Sequence, residues 1–563
     1  MPSFDDLIQR LTPACDTRAS TVLEHLSQAG FPNNDPLPPS FSGRRFASYI
    51  EVLTGAFLNP YSGYKGAPAA LSGIHRLTDI LTHACNPDGT LNGGNFASPP
   101  DTAFVVPPLG SALRALTRLA PAQKDMVTHL ETLLKRLGEP LITGGLHTPN
   151  HRWVVCSALS YLYHIFRDPR YLSRIDTWLA EGIDLDPDGH VSERSTAIYA
   201  HVTVDALIRM ATLLHRPGLL VSARTCLAAV RYFFRPDNTL ETTASRRQDQ
   251  HETPSGNRWY LDYRFMAIHD RNGQFASLAR TLEQTHGHNA PSILMRLLEE
   301  PMLAQPLPET TPLPDSYHVF HPHSGIARMR EGHLDATLFA GCDGPGPPIS
   351  GLARNPTFFR LQKGHAHLCS VRIAPMFFSS GYVQGSHLKV IDGGYHFEQT
   401  MTVSYFQPLA PHYRTPDGRY ALTSAEDRYH SCLNFPMRDH SEVQSLSFSV
   451  QMRRTPSGFT LALDAVGPIG VPIVLELAFP RMGALENVSP CLDNTPNIHF
   501  LLSGQGHYRH LGDTLTFGPG SADHRWHPFL APTGFHWPPD EPASRQYVYI
   551  PLLTPVSAVL TLA

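Results

Sequence analysis

The 563-residue sequence lacks the features that mark several classes of protein. No apolar run approaches the roughly 20 residues that cross a membrane as a helix. The opening segment, MPSFDDLIQRL, has neither the basic start nor the apolar core of a signal peptide. Only 17% of residues are charged, and a formal net charge of −4 gives no reason to expect a nucleic-acid partner. We therefore expect no membrane or nucleic-acid partner, and a cytoplasmic location unless a signal peptide was removed from a periplasmic or secreted protein.

Cysteine is scarce and scattered. The eight cysteines lie far apart and form no C-x-x-C pair, which argues against a zinc knuckle or a dithiol motif. Several lie inside apolar runs, as buried cysteines do, so a reducing compartment fits best. No glycine-rich phosphate loop is visible. We expect no nucleotide or redox cofactor; a structural divalent metal stays open.

Residues 1–305 carry the apolar periodicity of helices. Apolar residues recur at spacings of three and four in about a dozen segments, which are separated by turns that contain Gly, Pro or Asn. This spacing is typical of repeated helical hairpins. We predict an N-terminal (α/α) toroid, a ring or arc of hairpins whose loop ends face a common cleft.

The pattern changes after a proline-rich segment, PMLAQPLPETTPLPD. Beyond it, apolar and polar residues alternate at period two, with turn signals such as PDG and PSG between the runs. A chain of this length exceeds one ordinary core. We predict an α+β multidomain protein with three parts: the toroid at 1–305, a linker at 306–316 and a large antiparallel β-sandwich at 317–563.

The first candidate site residues are Asn150 and His151, which follow Pro149 at a predicted helix start. One interpretation is that Asn150 simply caps the helix. The other is that an amide and an imidazole bind a carboxylate near the helix N-terminus, where the helix dipole favours an anion.

A second cluster contains Glu193, Arg194 and Tyr199, with His201 close behind. These residues could form no more than a capping arrangement, and a lone tyrosine is more often a core residue. A tyrosine near cations is different, because positive charge lowers its pKa from about 10 and makes phenolate available as a base.

The third cluster is KGHAHLCSV, in which His365 and His367 are expected to share one face of a strand. Three interpretations stay open: a zinc site completed by further ligands, ordinary sheet-surface histidines, or histidines that face a cleft.

Weaker candidates for sugar binding lie in two loops. Asn95 and Asp101 precede a helix, and Asp101 would equally serve as its cap. Arg258 and Tyr260 follow a charged segment; arginine binds carboxylates or sulfates and aromatic rings stack on sugars, whereas a solvated loop is the alternative.

In order and spacing, PNHRW, ERSTAIY and GHAHLCSV resemble the heparinase II/III-like polysaccharide lyases, including the heparinase and oligo-alginate lyase branches. The resemblance implies an α/α toroid followed by a β-sandwich. It also implies that Asn150 and His151 bind a uronate carboxylate, that Tyr199 is proton donor or base, and that His365 or His367 joins it. The family often carries an acidic residue after H-x-H, where this sequence has Leu368, Cys369 and Ser370.

The resemblance predicts a carbon–oxygen lyase that cleaves an acidic oligo- or polysaccharide next to a uronic acid by β-elimination. Glu193, Arg194 and the loop residues would then bind substrate. One alternative is a glycoside hydrolase that uses paired carboxylates such as Asp101, Glu193 or Asp262. Another is a carbohydrate-binding protein without catalysis.

Overall fold

The computed structural model describes residues 4–28, 43–284, 289–340, 355–385, 387–426, 429–491, 496–528 and 544–563. The chain divides into two compact units. Unit 1 comprises Met1–Phe234, Asn238–Leu240 and Pro254–Leu313, and unit 2 comprises Arg235–Asp237, Glu241–Thr253 and Pro314–Ala563. The two short segments of unit 2 that precede the linker were expected to belong to the helical domain.

Unit 1 is helical, which confirms the predicted fold of this half. Its α-helices, within the described residues, are α1 (Phe4–Ser27), α2 (Gly43–Leu58), α3 (Pro68–Ala84), α4 (Pro99–Ala103), α5 (Val106–Leu119), α6 (Lys124–Thr143), α7 (Pro149–Phe166), α8 (Pro169–Leu179), α9 (Tyr199–Leu213), α10 (Leu219–Val230), α11 (Tyr260–Asp270), α12 (Gly273–Glu283) and α13 (Ala290–Glu299). None of these helices is long and apolar enough to cross a membrane.

Local sequence explains where the helices begin and which face they bury. Proline occupies the first turn of α7 and of α8, where its missing N–H removes no hydrogen bond. Along α6, Met126, Leu130, Leu134, Leu137 and Leu141 are buried, at the spacing of three and four that places them on one side. Sequence neighbours such as α2 and α3 or α5 and α6 pack together, and α13 packs back against α1, α2 and α5. The last helix therefore contacts the first, so that the series of helix contacts is closed.

Close helix contact depends on a glycine in α5. A Cβ at Gly110 would lie 2.6 Å from Cδ1 of the Tyr161 ring in α7, well inside contact distance. The tyrosine hydroxyl reaches the carboxylate of Glu299 in α13, at 2.9 and 3.2 Å. Gly110 thus lets α5 and α7 approach closely enough for Tyr161 to reach the last helix.

Side chains from four helices form a hydrogen-bonded group around Glu299. Its carboxylate accepts hydrogen bonds from Ser111 Oγ at 2.6 Å and from Arg296 Nη1 at 2.9 Å, and it pairs with Arg114. Burial alone would raise its pKa, but the surrounding guanidinium groups lower the pKa of Glu299 to about 2. Arg209 of α9 joins the group by donating to Tyr161 Oη at 2.6 Å.

Unit 2 consists of β-strands, as predicted. Within the described residues they are β1 (Ser316–His321), β2 (Ile326–Glu331), β3 (Leu334–Phe339), β4 (Phe359–Lys363), β5 (Ala366–Pro375), β6 (Lys389–Ile391), β7 (Gly394–Phe406), β8 (Thr423–Ala425), β9 (Tyr429–Ser431), β10 (His440–Thr455), β11 (Gly458–Val466), β12 (Pro472–Pro480), β13 (Ala484–Glu486), β14 (Ser489–Pro490), β15 (Ile498–Phe500), β16 (Gly506–His510), β17 (Asp513–Gly518), β18 (Arg545–Leu553) and β19 (Val556–Leu562).

Most of these strands form two large sheets. In the described residues one sheet has nine strands in the order β1-β2-β3-β4-β5-β12-β18-β15-β14, and the other has eight in the order β13-β16-β17-β19-β11-β10-β7-β6. Pairing is antiparallel except between β15 and β18. Leu475 and Ile550 of the first sheet share one apolar core with Val450 and Leu461 of the second, as expected for a sandwich.

The segment Glu241–Thr253 is held to the nine-stranded sheet through a buried carboxylate. Glu241 accepts hydrogen bonds from Arg235 Nη2 at 2.8 Å, Arg360 Nη1 at 3.2 Å and Thr337 Oγ1 at 2.6 Å. Burial alone would raise the pKa of Glu241, but the arginines hold it well below its usual range. This ionic contact explains why the segment belongs to unit 2, and apolar periodicity alone does not reveal it.

Replacing Glu299 with glutamine is expected to destabilise unit 1 by about 3–5 kcal/mol, because it leaves buried guanidinium groups without their counter-charge. The folded pKa of about 2 lies below the unfolded value of about 4.3. The stabilisation is therefore present above pH 4.3 and is lost as the pH falls toward 2, and the variant should lose this dependence. Denaturant unfolding followed by far-ultraviolet circular dichroism at several pH values measures both effects.

Glu300→Gln is the matched control, because Glu300 is the next residue and is only half-buried. It should unfold like the unmodified protein. Equal unfolding midpoints for the two variants would contradict the role given to Glu299.

Candidate active site

Asn150 lies in the first turn of α7 and contacts Glu193. Thr148 is the N-cap of α7, without a side-chain cap hydrogen bond, so the alternative that Asn150 caps the helix is wrong. Asn150 Nδ2 donates to Glu193 Oε1 and Oε2 at 3.1 and 2.9 Å and to Thr148 Oγ1 at 3.1 Å, and its backbone N–H donates to Glu193 Oε2 at 3.2 Å. Asn150 is 1% exposed. Two residues chosen from separate sequence clusters thus form one buried pair.

His151 packs between aromatic rings. Its imidazole meets the His147 ring edge-on, at 4.7 Å between centroids, and the Phe104 ring at 6.0 Å. The side chain is buried. Phe104 in turn is covered by the guanidinium of Arg44, 3.6 Å from the ring centroid. The environment of His151 is therefore aromatic on two sides.

Asp184 holds the loop that carries Glu193 against α7. Its carboxylate accepts hydrogen bonds from Trp153 Nε1 at 2.7 Å, Arg152 Nη2 at 3.1 Å and Ser192 Oγ at 2.6 Å. The first two donors belong to α7 and the third to the loop. Further along the loop, Arg194 has a φ of +49°, a conformation that costs on the order of 1–3 kcal/mol in a residue other than glycine. The loop is thus fixed in a strained backbone conformation where it passes Asn150.

Tyr199 is the first residue of α9 and is half-buried. Its backbone N–H donates to Ser195 Oγ at 3.2 Å. The same first turn contains His201, whose Nδ1 donates to Asp262 Oδ2 of α11 at 2.7 Å. The His201 ring also packs against Trp259, with 5.6 Å between centroids. The structure therefore places a tyrosine and a carboxylate-bound imidazole within three residues of each other.

The electrostatics of His201 favour a cation. Burial alone would lower its pKa, but the charge and hydrogen bond of Asp262 raise the pKa of His201 above its ordinary value. The charge of Arg258 opposes this rise, which shows that Arg258 lies close enough to act on the same group. Arg258 itself is exposed. His201 and Arg258 thus lie near the start of α9, and Asp262 and Asp205 supply the negative charge that faces His201.

Sequence analysis named His201 and Asp262 but did not pair them. Sixty-one positions separate the two residues, and no short motif links an imidazole to a carboxylate at that distance. The only local signal is the Tyr-x-His spacing at the start of α9. His190, in the same loop, was also not singled out, and it is buried with its ring 4.9 Å from that of Phe233.

Asp101 is buried, and it contacts Asn95, which is exposed. Ser98 is the N-cap of α4, and its Oγ donates to Asp101 Oδ2 at 2.7 Å, so Asp101 itself does not cap the helix. Asn95 Nδ2 donates to the same oxygen at 3.0 Å, and Arg44 pairs with the other. These contacts assign Asp101 a part in fixing the loop, and we leave both residues out of the proposed site.

Tyr260 is a core residue. It is 0% exposed, its hydroxyl lies 3.4 Å from both Arg264 Nη1 and Glu283 Oε2, and burial raises its pKa. A ring enclosed in this way has no face on which a sugar could stack. Arg258, two positions earlier, is the exposed residue of this pair of candidates.

In unit 2, His365 and His367 do not share a strand face. His365 lies in the turn between β4 and β5, where Gly364 supplies a φ of +56°. Both the backbone N–H and Nδ1 of His365 contact Asp513 Oδ2, at 2.8 and 2.9 Å, and the side chain is 64% exposed. The expected shared face is wrong because His365 lies in the hairpin turn, one residue before β5 begins.

His367 lies in β5 and is half-buried. Burial, reinforced by the charge of Arg235, lowers the pKa of His367 to about 4, so its imidazole is neutral at neutral pH. Across the described residues, no group of three or more His, Cys, Asp or Glu side chains is placed to hold a metal ion. The described cysteines are free thiols, while Cys342 lies outside the described residues.

Asp262→Asn is expected to lower the pKa of His201, because it removes the negative charge that favours the imidazolium. Histidine-selective 13C labelling and a pH titration by NMR measure this directly. His201→Gln identifies the resonance, and the remaining histidine signals serve as internal controls. A His201 titration midpoint that is the same with and without Asp262 would contradict the assignment.

Comparison with known proteins shows similarity of structure without similarity of sequence. No protein-family model and no curated protein matches the sequence. A chondroitin AC lyase of Streptomyces coelicolor A3, solved with chondroitin sulphate, matches 99% of this chain and 79% of its own at 15% identity and a TM-score of 0.56. Heparinase III matches 98% of this chain and 84% of its own at 9% identity and a TM-score of 0.56. A Paenibacillus xanthan lyase matches 91% of this chain and 51% of its own at 10% identity and a TM-score of 0.53.

Proposed function

We propose that this chain, which has the fold of the heparinase-like polysaccharide lyases, cleaves a glycosidic bond next to a uronic acid by β-elimination. The observation that carries the proposal is the group of ionisable side chains at the start of α9, where His201 is paired with Asp262 and lies near the exposed Arg258. Tyr199 begins the same helix. An acidic oligo- or polysaccharide is the substrate class that the resemblance implies.

Elimination begins at a weakly acidic carbon. The C5 proton of a uronate is hard to remove because the neighbouring carboxylate is already negative. Preorganised positive charge and hydrogen-bond donors at that carboxylate stabilise the negative charge that develops on its oxygens. We assign the positive charge to His201 and Arg258, and the hydrogen-bond donors to Asn150 and His151, as the resemblance implies.

Glu193 occupies the side-chain amide of Asn150 that the proposal assigns to the substrate. In the described conformation both oxygens of Glu193 accept from the Asn150 amide. A sugar carboxylate can use the same amide only by taking the place of Glu193, and the two carboxylates would repel each other if both stayed. We propose that Glu193 positions the amide and yields it to the substrate.

We assign the proton transfers to Tyr199, and the resemblance implies that His365 or His367 joins it. The base removes the C5 proton, the C4–O bond breaks, and a C4=C5 double bond forms. An acid delivers a proton to the departing oxygen, so that no water is consumed. Tyr199 serves both steps if the two groups lie on one sugar face; otherwise His365 or His367 is the base and Tyr199 the acid.

Tyr199→Phe should reduce turnover by at least about 100-fold, because it removes the hydroxyl that transfers the proton. The assay follows the ultraviolet absorbance of the unsaturated uronate on a panel of chondroitin, heparan, xanthan and alginate fragments. Tyr163→Phe is the matched control, since Tyr163 is half-buried at the far end of α7.

Full activity of Tyr199→Phe would remove this residue from the mechanism. Cleavage that leaves a saturated product would indicate the hydrolase instead, and binding without cleavage of any fragment would indicate a carbohydrate-binding protein. Of the three carboxylates considered for hydrolysis, Asp101 is paired with Arg44, Glu193 with Asn150 and Asp262 with His201.

Asn150→Ala should lower kcat more than it changes KM, by about 100-fold, because the amide contact strengthens as negative charge develops. Steady-state kinetics on the best fragment separate the two constants. Thermal unfolding of the variant is measured alongside, since Asn150 also holds Glu193. A rise in KM with unchanged kcat would assign Asn150 to ground-state binding.

A further inference from the structure

A small cavity lies within unit 2, beneath the segment Glu241–Thr253. Its volume is about 20 Å³. Arginine, histidine and cysteine side chains line it, together with two carboxylates; the residues used below are Arg235, Glu241, Asp335, Arg360, Cys369 and Arg545. The proposed lyase function uses none of these six, although His367, a candidate base in that proposal, also lines the cavity.

Both carboxylates at this cavity already form ion pairs. Asp335 is bound by Arg328 Nη2, which contacts both of its oxygens at 2.8 and 2.9 Å. That leaves Glu241, whose single charge is shared between Arg235 and Arg360 at 2.8 and 3.2 Å. One negative charge therefore faces two guanidinium groups, in a region where leaving a charge uncompensated is costly.

Arg360 shows the imbalance most clearly. It is 4% exposed, and its Nε is buried with no acceptor among the residues that the structure describes. Burial, together with the charges of Arg235 and Arg545, lowers the pKa of Arg360 to about 10, although Glu241 opposes the change. The guanidinium lacks both a hydrogen-bond acceptor for Nε and sufficient negative charge nearby.

We propose that this cavity is a binding site for one monoatomic anion of the size of chloride, held by Arg360 Nε and the neighbouring guanidinium of Arg235. The volume decides the size, because a space of about 20 Å³ accommodates one particle the size of a water molecule. The anion supplies the charge that Glu241 alone cannot, and so holds the segment Glu241–Thr253 on the sheet.

The test compares thermal unfolding at low and high chloride, with ionic strength held constant by methanesulfonate. Chloride and bromide should raise the unfolding midpoint by about 2–4 °C, because an ion that binds only the folded state stabilises it. The rise should be larger than any that methanesulfonate gives alone at the same ionic strength. A midpoint that is independent of chloride overturns the proposal.

Variants of Cys369 give the matched control. This side chain lines the cavity, as Arg360 does. Cys369→Ser is neutral and should keep the chloride response, whereas Cys369→Asp places a carboxylate in the cavity and should abolish it. An equal response of the two variants contradicts the site.

Bromide-soaked crystals of the unmodified protein test the same site, even if the Cys369→Asp variant does not fold. An anomalous difference peak within hydrogen-bonding distance of Arg360 Nε is expected. Water density at that position without an anomalous peak would show that the cavity is hydrated and holds no anion. The outcome is independent of lyase activity, so the two proposals succeed or fail separately.

Discussion

The helical unit depends on a buried carboxylate that several helices share. Glu299 lies at the end of α13, and it gathers donors from α5 and α7 as well as from its own helix. Apolar packing between hairpins is local in sequence and does not by itself specify which helix follows last. A carboxylate with a pKa of about 2 can be buried only where these cations surround it. The ionic group therefore favours the one arrangement in which α13 returns to α5 and α7.

The same network extends toward the candidate active site. Tyr161 bonds to Glu299, Arg209 donates to Tyr161, and Arg209 Nε donates to Asp205 at 2.7 Å within α9. The charge of Asp205 also raises the pKa of His201, one turn earlier in that helix. Hydrogen bonds from the interior of unit 1 thus hold α9 in place, and the charge of Asp205 acts on His201 in its first turn. Changes near Glu299 are expected to reach His201 through electrostatics and not through direct contact.

Sequence patterns predicted the helices and strands, but they did not predict the contacts between residues that lie far apart in the sequence. Periodicities of 3.6 and 2 identified helices in one half and strands in the other because burial imposes those repeats on each segment. Contacts such as His201 with Asp262, or Glu241 with Arg360, join segments far apart and leave no local pattern. Tyr260 illustrates the opposite error: as an aromatic residue near Arg258 it was a candidate for sugar binding, whereas helix α11, which begins at Tyr260, buries it. The position of His365 depends on the turn, since the β4–β5 hairpin places this residue just before the strand.

Two histidines show why residue type alone does not assign chemistry. His201 is half-buried against a carboxylate, which raises its pKa, whereas burial and the charge of Arg235 lower the pKa of the half-buried His367 to about 4. An imidazolium supplies positive charge but has no lone pair with which to take a proton. A neutral imidazole can accept one but contributes no charge. The environment of His201 therefore suits stabilisation of a negative charge and that of His367 suits acceptance of a proton, and the reverse assignment would oppose both environments.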